Sequence, residues 1–197
     1  DRGDQPALIF VSTETDQEVT YTYRQLHAEV QRMAASFLSL GVKKGDRVLI
    51  YMPMIAEASF AMLACARIGA IHSVVFGGFA SGSLASRIED ASPKLIVSAD
   101  AGSRGGKVVE YKPLLDEAIR LSAHKPDSVL LVDRGLAKMA MTEGRDLLWS
   151  NLRSQHMNDV VPCEWVDATH PSYTLYTSGT TGKPKGVQRD TGGYTVA

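Results

Sequence analysis

What this sequence lacks narrows it before any motif is read. No apolar run approaches the roughly 18 residues of a membrane-spanning helix. The N-terminal DRGDQPALIF has neither the basic start nor the apolar core of a secretory signal, and no initiator Met. The sequence is therefore expected to be trimmed at its start. Two cysteines, Cys65 and Cys163, lie in unrelated surroundings with no CxxC or other metal spacing. A reducing compartment is the default, and both thiols are expected to be structural. The five histidines, His27, His72, His124, His156 and His170, never approach a ligand spacing either, so no metal site is expected. A formal net charge of −1 gives no long-range field to draw nucleic acid or an anionic membrane as a partner, though a small anion could still be held locally. No repeat, low-complexity tract or charge run divides the chain, which reads as one unit.

What is present is ordinary globular material: 197 residues, 44% hydrophobic and 22% charged, enough for one sizeable core. ALIFVS and EVTYTY flank a polar TETDQ and predict a hairpin over Ala7 to Tyr21. Thr22, with Gln25 three residues on, forms a capping-box pattern. Leu26, Val30, Met33, Phe37 and neighbours then recur at helical spacing until Gly41. Strand patterns at DRVLIYMP, IHSVVF, KLIVSA and SVLLVD alternate with helices over Ala56 to Gly69, about Leu84 to Ala91, and Tyr111 to Ala123. From Arg134 to Pro171 the pattern loosens to a weak helix near Leu147 to Ser154. Near-continuous apolar strands separated by helices argue for an α/β fold with a largely parallel sheet covered on both faces. Met52, Met54 and Met62 read as core filling, and Trp149 and Trp165 as packing anchors.

In such folds ligands sit where strands run out into loops. Three of these loops are rich in glycine. VFGGFASGS, Val75 to Ser83, nearly has a Walker A spacing, but Ser83 stands where the lysine belongs. DAGSRGGKVVEY places Arg104 and Lys107 on what reads as a flexible, solvated loop, with glycines spaced wrongly for a dinucleotide fingerprint. SYTLYTSGTTGKPKGV differs in quality. Between Thr177 and Gly186 it supplies three glycines, four hydroxyls and two lysines in ten residues. Gly179, Gly182 and Gly186 let backbone N–H groups approach an anion, while Thr177, Ser178, Thr180 and Thr181 add hydroxyl donors. Lys183 and Lys185 bring positive charge suited to β- and γ-phosphates. Pro184 falls where a Walker A glycine would be needed, and no Ser or Thr follows Lys183, which disfavours a phosphate-loop NTPase. From these residues alone a surface linker, an NTPase and a non-catalytic interaction domain stay open beside a nucleotide-activating enzyme.

The run TSGTTGKPKG, Thr177 to Gly186, resembles the signature phosphate loop of the acyl-adenylate-forming superfamily. The likeness runs through essentially the whole chain, from TYTYRQLHAEVQ through FGGF to SADAGSRGGK, in the manner of the acetyl- and propionyl-CoA synthetase branch. After the loop, Gln188-Arg189-Asp190 is similar to propionyl-CoA synthetases, where acetyl-CoA synthetases commonly carry His-Thr-Thr. The resemblance implies part of the large N-terminal AMP-binding domain, residues 1–197, with later segments and a small C-terminal domain lying outside it. The 197 residues alone are then expected to catalyse neither half-reaction. It also implies ATP, magnesium and coenzyme A as cofactors, a short-chain carboxylate as substrate, and a cytoplasmic location with an organelle matrix as the alternative. By resemblance the acid is propionate, with acetate the alternative, while oligomeric state is not implied by these residues. Lys185 and Thr177 would be catalytic, and Ser178, Gly179, Thr180, Thr181, Gly182, Lys183 and Gly186 would hold the nucleotide phosphates. Arg104, Lys107, Gly77 and Gly78 would meet coenzyme A, with Lys107 standing where the family carries a second arginine.

Overall fold

The computed structural model describes residues 1–177 and 184–196. The chain opens with β1 (Pro6–Ser12) and β2 (Gln17–Thr22), paired antiparallel as a hairpin. Thr22 then caps α1 (Tyr23–Ser39) with both capping-box bonds in place: its hydroxyl accepts from the Gln25 N–H at 3.2 Å, and the Gln25 side chain accepts from the Thr22 N–H at 2.8 Å. β3 (Arg47–Met52), α2 (Ala56–Ile68) and β4 (Ile71–Phe76) follow. α2 stops at Gly69, whose φ of +69° is left-handed, the conformation a glycine adopts without a Cβ penalty. α3 (Ser81–Ala91) leads to β5 (Leu95–Ala99), then to β6 (Ala101–Arg104) and β7 (Lys107–Glu110). α4 (Tyr111–Leu121), β8 (Ser128–Val132), β9 (Asp146–Leu148) and α5 (Trp149–Gln155) lead to β10 (Pro171–Thr177), β11 (Lys185–Asp190) and a short α6 (Thr191–Val196).

Among the described residues the central sheet has seven strands in the order β11-β10-β4-β3-β5-β8-β9. All neighbours are parallel except β10 and β11, so the expectation of a largely parallel α/β sheet holds with one antiparallel edge. From β3 the chain crosses through α2 to β4, then returns through α3 over β3 to β5 and moves on through α4 to β8. Right-handed crossovers in opposite directions put their helices on opposite faces. Accordingly α1 packs on α2 and α5, and α3 packs on α4. β3, β5 and β8 are buried on both sides by these two layers, and Leu49, Ile50, Ile96, Val97 and Leu130 lose all solvent exposure. That double burial is why their sequences are continuously apolar and not alternating.

The structure corrects several local expectations. The segment from Ala101 to Glu110 is not a flexible loop but the antiparallel hairpin β6–β7, closed by Gly105 and Gly106 at φ +57° and +76°. Two adjacent left-handed residues are what a tight hairpin turn of matching twist demands, and a Gly-Gly pair supplies them. α3 starts at Ser81, ahead of the expected Leu84. β9 and β11 had no strand pattern to announce them. Trp149 is buried as expected, but Trp165 is 88% exposed and anchors nothing within these residues. Met54, at 94% exposure, is likewise no core filler, and Cys163 is exposed where Cys65 is buried. Among the described residues no helix is long and apolar enough to cross a membrane.

Candidate functional site

The chain leaves β3 in one direction and returns past it in the other, so the carboxyl ends of β3 and β4 border a topological switch point, where α/β sheets open a crevice. A cavity of about 510 Å3 lies there. Its floor is Met52 and Pro53 from the end of β3, with Val75 to Gly78 from the end of β4. The β1–β2 turn and the β6–β7 hairpin form its other walls.

Three of the four residues expected to meet coenzyme A converge in this crevice. Arg104 Nη1 donates to the Gly78 carbonyl at 3.3 Å, and its guanidinium lies 5.9 Å from the Phe76 ring centre. A Cβ on Gly77 would stand 2.3 Å from the Tyr111 hydroxyl, and one on Gly78 would stand 2.4 Å from the Phe76 ring. A side chain at either position would therefore force the Tyr111 or the Phe76 ring to shift. Lys107 pairs with Arg104 across the hairpin and is exposed, a charge at the rim and not in the floor.

The hairpin that carries Arg104 is held by residues that the motif reading passed over. Glu14, in the β1–β2 turn, accepts from the Ser103 N–H at 2.5 Å and pairs with Arg134 at 2.5 Å, while Arg134 Nη1 donates to the Ala101 carbonyl at 2.9 Å. The fully buried Asp100 accepts from the N–H groups of Ala101 and Leu136, both at 2.7 Å, which ties the hairpin base to the loop after β8. Tyr111 backs Gly77 and packs 5.1 Å from Tyr51, whose hydroxyl donates to the Phe79 carbonyl at 3.1 Å. Burial pushes the Tyr51 phenol up to about 12 and raises that of Tyr111. Glu14 and Ser103 are 89 residues apart, and no local spacing could have paired them.

The second set of expected residues lies on the β10–β11 hairpin. Thr177 pairs with Lys185 at its mouth, and the Thr177 hydroxyl donates to the Lys185 carbonyl at 3.5 Å. Gly186 pairs with Tyr176, and a Cβ there would meet Thr174, Tyr176 and Asp90 at 3.2 to 3.4 Å. Ser178, Gly179, Thr180, Thr181, Gly182 and Lys183 lie outside the described residues. The two sets share a strand: Leu175, two residues before Thr177, lines the same cavity as Arg104, Gly77 and Gly78.

Comparison with known proteins decides the family. The model of the AMP-binding enzyme family matches residues 1–197. The chain belongs to the AMP-binding enzymes. This AMP-binding enzyme chain is 66% identical to a propionate–CoA ligase of Salmonella typhimurium across 100% of its own length and 32% of that protein's. It is 65% identical to a propionate–CoA ligase of Escherichia coli, covering 97% of the chain and 30% of the relative. An acetoacetyl-CoA synthetase from Streptomyces lividans superposes with a TM-score of 0.87 at 30% identity, over 99% of the chain and 29% of that structure. The AMP-binding chain thus spans about a third of the length of the curated relatives it matches.

Proposed function

We propose that this chain supplies the phosphate loop and part of the coenzyme A crevice of an ATP-dependent short-chain carboxylate–CoA ligase, with propionate as its acid. A carboxylate oxygen attacks the α-phosphorus of magnesium-bound ATP, forming an acyl-adenylate and expelling pyrophosphate; the thiol of coenzyme A then attacks the acyl carbon and AMP leaves. The observation that carries the reading is that one strand, β10, contributes Leu175 to the Arg104 crevice and, two residues later, Thr177 to the base of the phosphate loop.

In this reading Thr177 and Lys185, facing each other across the hairpin mouth, orient the β- and γ-phosphates together with Ser178, Gly179, Thr180, Thr181, Gly182, Lys183 and Gly186. The two lysines offset charge that develops on departing pyrophosphate. Arg104, with Lys107 at the rim, takes phosphate groups of coenzyme A, while Gly77 and Gly78 admit the ligand close to the backbone. Among the described residues no group of three or more His, Cys, Asp or Glu is placed to hold a metal, and magnesium enters this reading with the nucleotide. The reaction belongs to an aqueous compartment, with the cytoplasm favoured and an organelle matrix the alternative.

Carboxylate-dependent ATP–pyrophosphate exchange by the protein at full length, run with propionate, acetate, butyrate and no acid, tests the reading. Exchange strongest with propionate is the expected result. Exchange led by acetate keeps the chemistry and discards the acid. ADP and phosphate as products, with no exchange, would overturn both.

A further inference from the structure

The contact between α3 and β10 holds an unusual arrangement of charge. Arg87 is 7% exposed, and its guanidinium lies 4.2 Å from the Phe79 ring centre and 5.4 Å from the Tyr176 ring centre. Its Nη1 donates to the Ser83 carbonyl at 2.7 Å. Among the described residues it makes no ion pair, so the two ring faces and a carbonyl supply what water would otherwise give the cation. One turn along α3, Asp90 accepts a hydrogen bond from the Tyr176 hydroxyl at 2.7 Å. Burial pulls Arg87 down from its ordinary value. Burial, reinforced by the Asp90 carboxylate, raises the Tyr176 phenol, keeping it a donor.

Tyr176 is therefore gripped at both ends by one helix, its ring by Arg87 and its hydroxyl by Asp90. It immediately precedes Thr177 and pairs with Gly186, so it lies inside the frame from which the phosphate loop is suspended. Phe79, the other ring on Arg87, follows directly after Gly77 and Gly78 of the crevice. Nothing in this grip touches the crevice cavity itself, whose lining includes neither Arg87 nor Asp90 nor Tyr176.

We propose that Arg87 and Asp90 are positioning residues for the phosphate loop: by clamping Tyr176 they set the start of the loop, so that removing the clamp weakens handling of ATP while leaving coenzyme A binding intact. The proposal rests on the ligase reading above. A clamp of this kind acts through geometry, since a small displacement of donors aimed at a phosphate is enough to weaken their contacts.

The test uses the full-length protein and steady-state kinetics of two reactions, pyrophosphate exchange and thioester formation. Arg87→Met keeps volume and removes the charge; it should raise KM for ATP about tenfold while KM for coenzyme A stays within about twofold. Arg87→Lys restores a cation over the rings and should recover KM for ATP to within about threefold of the wild type. Tyr176→Phe removes the donor and Asp90→Ala the acceptor of the hydroxyl bond, so the double variant should be no worse than either single one. Unchanged KM for ATP in Arg87→Met overturns the proposal, as does a parallel rise in both KM values, which a general loss of structure would give. Should Arg87→Met fail to fold, the Tyr176–Asp90 cycle decides, with additive effects counting against the clamp. A wild-type protein with no exchange activity at all would instead bring down the ligase reading, and the clamp with it.

Discussion

Arg104 and Gly78 come from opposite sides of the crevice, one from the end of a β-hairpin and one from the end of a central strand, and a hydrogen bond of 3.3 Å joins them. The bond aims the guanidinium across the cavity mouth and leaves most of its N–H groups for a guest. A charged contact of this type is worth about 1.5–3 kcal/mol. In the ligase reading Arg104→Ala should raise KM for coenzyme A roughly ten- to hundredfold while leaving pyrophosphate exchange near the wild-type rate. Lys107→Ala, which removes an exposed charge, should raise it no more than about fivefold. Separate measurement of the two half-reactions checks both; equal losses in exchange and thioester formation would contradict the assignment.

Gly77 is under a steric demand that the neighbouring tyrosine sets. A methyl group there would stand 2.3 Å from the Tyr111 hydroxyl and 2.7 Å from its ring carbon Cζ. Gly77→Ala must displace the Tyr111 ring, which is packed on Tyr51, and overpacking of this kind costs about 1–3 kcal/mol. Urea unfolding should report that loss. Gly77→Ala/Tyr111→Phe should recover only part of it, because Cζ remains in the way. Full recovery would locate the strain in the hydroxyl alone.

Lys185 faces Thr177 across the hairpin mouth and is exposed, so it serves no packing role that its loss would disturb. Lys185→Ala is expected to leave the unfolding midpoint unchanged and to slow exchange by about 10²–10³, the size of effect seen when one electrostatic contact to a developing charge is removed. A variant that keeps wild-type exchange would mean that the lysine at 185 is a surface residue after all.

Much of this fold was legible because burial leaves a pattern. The strands at Arg47–Met52, Leu95–Ala99 and Ser128–Val132 carry near-continuous apolar runs because both faces are covered, and Thr22 with Gln25 marks a helix start through the two reciprocal hydrogen bonds of a capping box. Lys185–Asp190 escaped notice because KGVQRD has no apolar alternation; pairing to β10, and not its own propensity, makes it a strand. Gly105 and Gly106 are spaced wrongly for a dinucleotide fingerprint, but adjacent glycines between short runs are equally a hairpin signal. For the site, the family resemblance, and not residue type or spacing, pointed to Arg104, Gly77 and Gly78, which do meet. The Glu14–Ser103 contact and the Arg87–Tyr176 stacking were invisible, since each joins segments far apart in sequence through geometry that only the folded sheet creates.

His72 gives the chain an acid sensitivity that can be isolated. Its ring stacks on Tyr173 at 5.5 Å, its Nδ1 has no hydrogen-bond partner among the described residues, and burial pulls its pKa down to about 4 from the ordinary 6.5. Above pH 6.5 the ring is neutral in folded and unfolded chains alike, so it does not alter stability there. As the pH falls below 6.5 the unfolded chain takes up the proton first, and stability is lost progressively until the folded ring protonates near pH 4. Between pH 7 and pH 5 this one group should remove up to roughly 2 kcal/mol. Glu57, whose carboxyl burial raises, works in the opposite sense, its folded form being favoured as the pH falls, so the difference between wild type and variant isolates the ring. Glu29 is buried, which opposes its charge, but Arg153 and Arg32 outweigh that and hold its carboxyl below the usual range, so its loss comes at lower pH. His72→Phe keeps a ring against Tyr173 and removes the titration. Urea midpoints for the wild type should fall between pH 7 and pH 5 while those of His72→Phe stay nearly level; parallel falls in both would assign the acid sensitivity to some other group.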